Sequence, residues 1–243
     1  MADIVGLGEA LKSKVAEKAY DDAFSKPAKQ LGEFSEDVLK TLRLMLFPFQ
    51  IGATVQDKLN DTFKRAVDKV PSERRIVPQL QIVGPIYEHI KYMDENSILY
   101  ELFEELLARS IDFDRIAEAQ PAFINIISQL SRDEAIILLL LKDTHFDYVL
   151  ILTADRGTSR VIDKTIDNCT FPRDRLLIPN NFEMYIDHLE TLGLVKAPEI
   201  EKNILIADEH QDYRAKISLK IHLTKFGEFF INACVPENGF RNK

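Results

Sequence analysis

Cysteine occurs twice in 243 residues, at Cys169 and Cys234. Two thiols make no disulfide framework, and with no CxxC pair the chain offers no thiolate metal knuckle. A reduced, cytoplasmic setting is the expectation. Long apolar runs are missing as well. The longest, Leu44 to Phe49 and Ala135 to Leu141, fall far below the roughly 20 residues a membrane-spanning helix needs, so no membrane span is expected. The start, MADIVGLGEALKSKVAEKAY, lacks the basic opening and long apolar core of a secretion signal. Positive surplus is absent too. The net charge of −8 at pH 7 is spread over both halves, so neither half is built by bulk charge to hold a polyanion.

Motifs with a built-in mechanism are equally scarce. There is no HExxH, no GxSxG and no phosphate-cradling Walker loop. His89, His145, His188, His210 and His222 are scattered over different predicted elements and suggest no nucleophile–base pair. A GxG at Gly6 and Gly8 has Leu11 where a third glycine belongs and only three residues ahead of it for a delivering strand, so it reads as a helix start. Asp143, His145 and Asp147 are of metal-ligand type, but they lie where short polar residues form the turn out of a buried helix. Asp112 and Asp114 are weaker still. The expectation is a non-enzymatic protein with no catalytic residues, no metal site and no cofactor.

What the chain does have is 46% hydrophobic residues, enough for a core, set largely at helical spacing. Leu7, Leu11, Val15 and Ala19 form one such stripe, Leu31 to Leu46 a second, and Ile51, Val55, Leu59 and Phe63 a third. Pro48 kinks or ends the second helix and Pro71 closes the third. SERRIVP at 72–78 leads into further helices, with Ile82, Ile86 and Ile90 on one face, then Leu102, Phe103, Leu106 and Leu107, then Phe123 to Leu130. No alternation of strand type appears before about residue 146. The predicted fold is mainly α: a helical, bundle-like region over 1–128, followed by a winged-helix domain of α+β type over 129–243.

That second region begins with Ser131 and Glu134, spaced as a capping box that opens the apolar helix AIILLLL. DYVLILTADR reads as a strand, Arg156 to Cys169 as a polar loop or short helix, and RLLIP as a return to the sheet. Asn180 or Asn181 caps a helix with Phe182, Tyr185, Ile186 and Leu189 inward, and Gly193 ends it. Ile204 to Ile206 and Lys216 to Leu223 flank a polar stretch as the hairpin, or wing. Thr224 caps a last helix in which Gly227 permits close packing.

Three residue sets are candidate contact surfaces. From Leu176 to Val195 there is no Lys or Arg, and the charges are Glu183, Asp187 and Glu190. A helix so placed would ordinarily enter a DNA groove, yet nucleic-acid binding draws much of its free energy from cations on phosphates. The acidic set therefore predicts a basic protein partner. Arg156, Arg160, Lys164, Arg173 and Arg175 form a basic set able to touch phosphates, but Asp155, Asp163, Asp167 and Asp174 interleave with it, which favours a solvated mixed-charge surface. Leu42, Met45, Leu46 and Phe49 belong to a segment apolar nearly all round, which predicts burial in the domain or a homo-oligomer contact. Insertion of residues 41–55 into a bilayer surface is its alternative.

The stretches KPAKQLGEFSEDVLKTLRLML, RRIVP, LYELFEELLARSID, PAFINIISQLS, LETLGLV and LTKFGEFFINAC together resemble the abortive infection alpha family of bacterial proteins over roughly residues 25–235. The resemblance implies a part in defence against phage, in which infected cells die or stop growing. It lends no catalytic residues, because the matching positions, Pro78, Leu130, Ser131, Leu192 to Leu194, Thr224, Gly227 and Cys234 among them, have structural explanations. The expected function is that of an interaction protein in such a response, working through an unidentified protein partner. A DNA-binding regulator and a membrane-active effector are the alternatives.

Overall fold

A computed structural model describes residues 53–241 except 156, 159 and 207–212. The glycines at 6 and 8, the first two helical stripes and the apolar set Leu42, Met45, Leu46 and Phe49 lie outside the described residues. The chain divides into two compact units, residues 1–129 with 240–243 and residues 130–239.

In the first unit the described elements are helices. α1 (Ala53–Asp68), α2 (Leu80–Ile90), α3 (Ile98–Ile111) and α4 (Pro121–Gln129) are joined by short turns. Ile82, Ile86 and Ile90 of α2, Phe123 and Ile127 of α4 and Leu59 and Phe63 of α1 pack on α3 from several sides. A helix enclosed in that way buries its polar residues too: Glu101, Glu104, Glu105 and Arg109 are all shielded from solvent. A buried carboxylate is tolerated only with partners. Glu104 has Arg65 Nε at 2.8 Å, Lys69 Nζ at 2.8 Å and Arg241 at 3.2 Å. Burial pushes its carboxyl up, and the bonds from Lys69 and Arg65 outweigh that and hold it below the usual carboxylate range. Phe240 and Arg241 add a clasp, the first buried and the second donating its amide to Glu101 Oε2 at 2.9 Å.

The second unit opens with α5 (Arg132–Leu141). Its start is the capping box read from the sequence: Ser131 Oγ accepts from the Glu134 amide at 3.2 Å, and Glu134 Oε2 accepts from the Ser131 amide at 2.6 Å. Then come β1 (Phe146–Ala154), β2 (Val161–Cys169), α6 (Phe182–Thr191), β3 (Val195–Lys196), β4 (Glu199–Ile206), β5 (Tyr213–Leu223) and α7 (Lys225–Cys234). The five strands make one antiparallel sheet in the order β2-β1-β5-β3, with β4 also on β5.

This sheet overturns the mainly α expectation, and the fold is mixed α+β. β2 replaces the loop or short helix expected before Cys169. It was illegible because it is an edge strand: every residue from Val161 to Asn168 is exposed, so neither face imposes an apolar alternation. RLLIP does not rejoin the sheet. The amides of Leu177 and Ile178 donate instead to Asp133 Oδ1 and Oδ2, at 2.9 and 3.0 Å, which removes the groups a strand would pair. Asn181 holds the N-cap position of α6, but its side chain makes no capping bond, and a 3₁₀ turn, Pro179–Asn181, leads in. The hairpin β4–β5 is longer than its apolar runs, because charged Glu199, Glu201 and Lys202 continue it.

The end of α6 and the start of α7 are fixed together. Gly193 adopts φ +73°, open to glycine at least cost. Thr224 Oγ1 donates to Gly193 O at 2.6 Å and accepts from the Gly227 amide at 2.8 Å. Gly227 lies so close to the Leu194 backbone that a Cβ there would sit 2.0 Å from its carbonyl oxygen.

Candidate interaction surface

Strand register sorts the sheet into two chemically different faces, because directly paired residues project to the same side. On one side lie Phe146, Tyr148, Leu150, Leu152 and Ala154 of β1, with Ile221, Leu219, Ile217 and Ala215 of β5 opposite them. The other carries Asp147, Val149, Ile151 and Thr153 of β1 against Lys220, Ser218, Lys216 and Arg214 of β5, and is the more polar of the two. α6 covers one end of the apolar side. There Phe171 stacks on Phe182 at 4.8 Å and meets Phe146 edge-on at 5.0 Å, and Tyr148 meets Phe182 at 5.6 Å.

The acidic set lies along the groove where α6 meets this face, over a floor of Leu150, Leu219 and Ile221. Its members differ in how far they are committed. Glu183 accepts from Tyr148 Oη of β1 and from the Lys164 ammonium of β2. Burial raises the Glu183 carboxyl, but the Lys164 and Tyr148 bonds prevail and hold it low. Tyr148 is pushed up, by burial first and then by its bond to Glu183. Glu190 Oε1 accepts from the Ala197 amide at 2.7 Å. Asp187 is exposed, one turn on from Glu183, on the rim of the same groove.

The basic set is not gathered into one phosphate-facing surface. Lys164 is bound to Glu183, and Arg173 donates to the Pro179 carbonyl at 2.8 and 3.3 Å. Arg160 and Arg175 are exposed at different places, one before β2 and one in the 3₁₀ turn ahead of α6. Arg156 lies outside the described residues. On β5 the cation Lys216 is bridged to Asp167 at 2.7 Å.

Among the described residues no group of three His, Cys, Asp or Glu is placed to hold a metal ion. Asp143, His145 and Asp147 lie at the turn from α5 into β1, and Asp112 and Asp114 both pair with Arg74, at 2.9 and 3.3 Å. No described helix is long and apolar enough to cross a membrane.

Two elements of the surface escaped sequence reasoning. Asp133 was unmarked, yet its buried carboxylate takes the Leu177 and Ile178 amides and the Tyr185 hydroxyl at 3.2 Å, which pins the lead-in to α6. Tyr148 lies within the strand DYVLILTADR, and its place in the period-two series Phe146, Tyr148, Leu150, Leu152 puts it on the helix-covered face, against Phe182 and Glu183.

Neither a curated protein nor a solved structure matches the chain. The family model described as abortive infection alpha matches residues 53–234, running from the first residue of α1 to the last of α7, and brings an abortive-infection, phage-defence role with it. The chain belongs to the abortive infection alpha family.

Proposed function

We propose that the chain is a non-enzymatic component of abortive infection that captures a protein partner with the carboxylate-bearing side of α6. The observation that carries this reading is the position of Asp187: it stands exposed between Glu183 and Glu190 on a groove rim, on a helix with no Lys or Arg. The lining cation, Lys164, is spent on Glu183. Such a rim repels phosphates and attracts a basic protein surface, where opposed charge speeds encounter and fixes register. The β4–β5 hairpin after α6 supports a winged-helix-like use of this element, turned toward protein and away from a DNA groove.

The test is phage challenge of cells carrying the parent chain or Asp187→Lys. Asp187 has solvent around it, so this reversal changes the field of the rim and spares the bonds of Glu183 and Glu190. The reading predicts that protection falls by about tenfold or more in plating efficiency, with the melting temperature unchanged. Full protection by Asp187→Lys contradicts it.

A further inference from the structure

The apolar side of the sheet continues well past the cover of α6. The pairs Leu150–Ile166, Leu150–Ile217, Ala154–Val161 and Ala215–Ile204 are apolar on both members. At the sheet edges they are open to solvent: Ile204 is 71% exposed, Val161 57% and Ile166 39%. Leu152, Ala215 and Ile217 between them are half-buried. The reverse side of the same strands carries half-buried Val149 and Ile151 at its centre, paired with Ser218 and Lys216, and is otherwise polar, with Thr153, Asp163, Thr165, Arg214 and Asn203. One side is therefore the more polar, and the other, apolar from pair to pair out to both edges, is the one suited to a packed layer. The edges themselves are poor docking sites for another strand, since β2 and β4 each carry two bulges and charged side chains.

We infer that this uncovered apolar strip, next to α6, is the seat of a basic amphipathic helix from a partner protein. The inference rests on the proposed role of α6 and names its partner's shape. A second helix laid beside α6 would complete the layer that α6 begins, at ordinary helix spacing. Charge gives the occupant its sign. The border shared with α6 carries Asp187 and Glu190, and Glu199 lies on the same side of the sheet opposite Leu219. Of the cations on this side, Lys164 is neutralised by Glu183 and Lys202 lies out on β4, at the far edge. A helix with leucine-like residues toward the strip and Lys or Arg along its α6-facing flank satisfies both the apolar floor and the acidic border.

The test is fluorescence anisotropy on the full chain with a labelled synthetic 18-residue helix, leucine on one face and lysine on the other, and a twin with glutamate replacing lysine. The lysine probe is expected to bind about tenfold or more tighter than the twin. Ile204→Asp is expected to weaken the lysine probe by about tenfold. That variant adds negative charge, so bare electrostatic attraction would strengthen binding and the two explanations part in sign. Val161→Asp repeats the test on the opposite edge if Ile204→Asp melts early. Equal affinity for both probes, unchanged or tighter binding by both edge variants, or loss of a dimer in sedimentation on Ile204→Asp each overturns the proposal, the last by naming a second copy as occupant. Phage protection lost with Asp187→Lys and kept with both edge variants overturns this seat alone and leaves the role of α6 standing.

Discussion

Lys164 of β2 is bound to Glu183 of α6, so one member of the basic set spends its charge on one member of the acidic set. Nineteen residues of sequence separate them, and the β1–β2 hairpin brings them together. The bond joins an edge strand to a helix that lies against the apolar side of the sheet. It is a partly exposed pair, so Lys164→Ala should cost no more than about 1 kcal/mol in urea unfolding. Partner capture should persist in that variant, because freeing Glu183 leaves the rim more acidic; loss of capture there would point to the basic set.

Asp133 supports the lead-in to α6 with three hydrogen bonds from a buried position. Asp133→Ala strands two backbone amides and the Tyr185 hydroxyl, and should destabilise the second unit by about 2–4 kcal/mol. Asp133→Asn keeps one acceptor and should cost less. Urea unfolding followed by tyrosine fluorescence separates them.

The same carboxylate sets a pH dependence. Burial raises Asp133, but the bonds from the Leu177 and Ile178 amides and from Tyr185 hold it below its ordinary value. A depressed folded value means that the stabilisation is complete above the ordinary aspartate range and is lost as pH falls through the folded value. The parent's melting temperature should therefore drop between about pH 5 and pH 3. Asp133→Asn should show a shallower drop over the same window, and an identical slope would remove Asp133 from the acid transition.

Gly227→Ala should be severe. Its Cβ would fall 2.0 Å from the Leu194 carbonyl oxygen, a backbone atom that cannot swing aside. Separating α7 from the α6–β3 turn costs about 3 kcal/mol or more. A melting curve close to the parent's would show that this junction yields more easily than its packing implies.

In the first unit, Glu104 holds Arg65, Lys69 and Arg241 around a fully buried carboxylate. Glu104→Ala should cost about 2–4 kcal/mol, below the range for fully buried partners because the three cations retain access to water. A chain ending at Gly239 loses Phe240 and Arg241, and should destabilise the same unit by a smaller amount in hydrogen exchange.

Legibility in the sequence followed the range of each interaction. Ser131 and Glu134 satisfy each other within one turn, and Thr224 takes the Gly227 amide within one turn, so both helix starts rest on local bonds and are legible from the capping residues. The apolar stripes of α2 and α4 were plain for the same reason. β2 was not, because an edge strand with water on both sides has no buried face to write a pattern. Nor was the role of Asp133, whose amide partners lie 44 and 45 residues away. Glu104 carries no mark of burial in the sequence, and packing on several sides of α3 shields it. The acidic set was visible as composition, but the division of labour among Glu183, Glu190 and Asp187 depends on partners that the fold alone supplies.

The most direct measurement of the central claim is site-specific photo-cross-linking from α6 in phage-infected cells. Met184 is 54% exposed and one turn before Asp187, so a photoreactive residue there reports what lies on the helix without removing a carboxylate. The account predicts a discrete protein adduct that disappears when Asp187→Lys is added. A nuclease-sensitive adduct, or a protein adduct indifferent to Asp187→Lys, would contradict it.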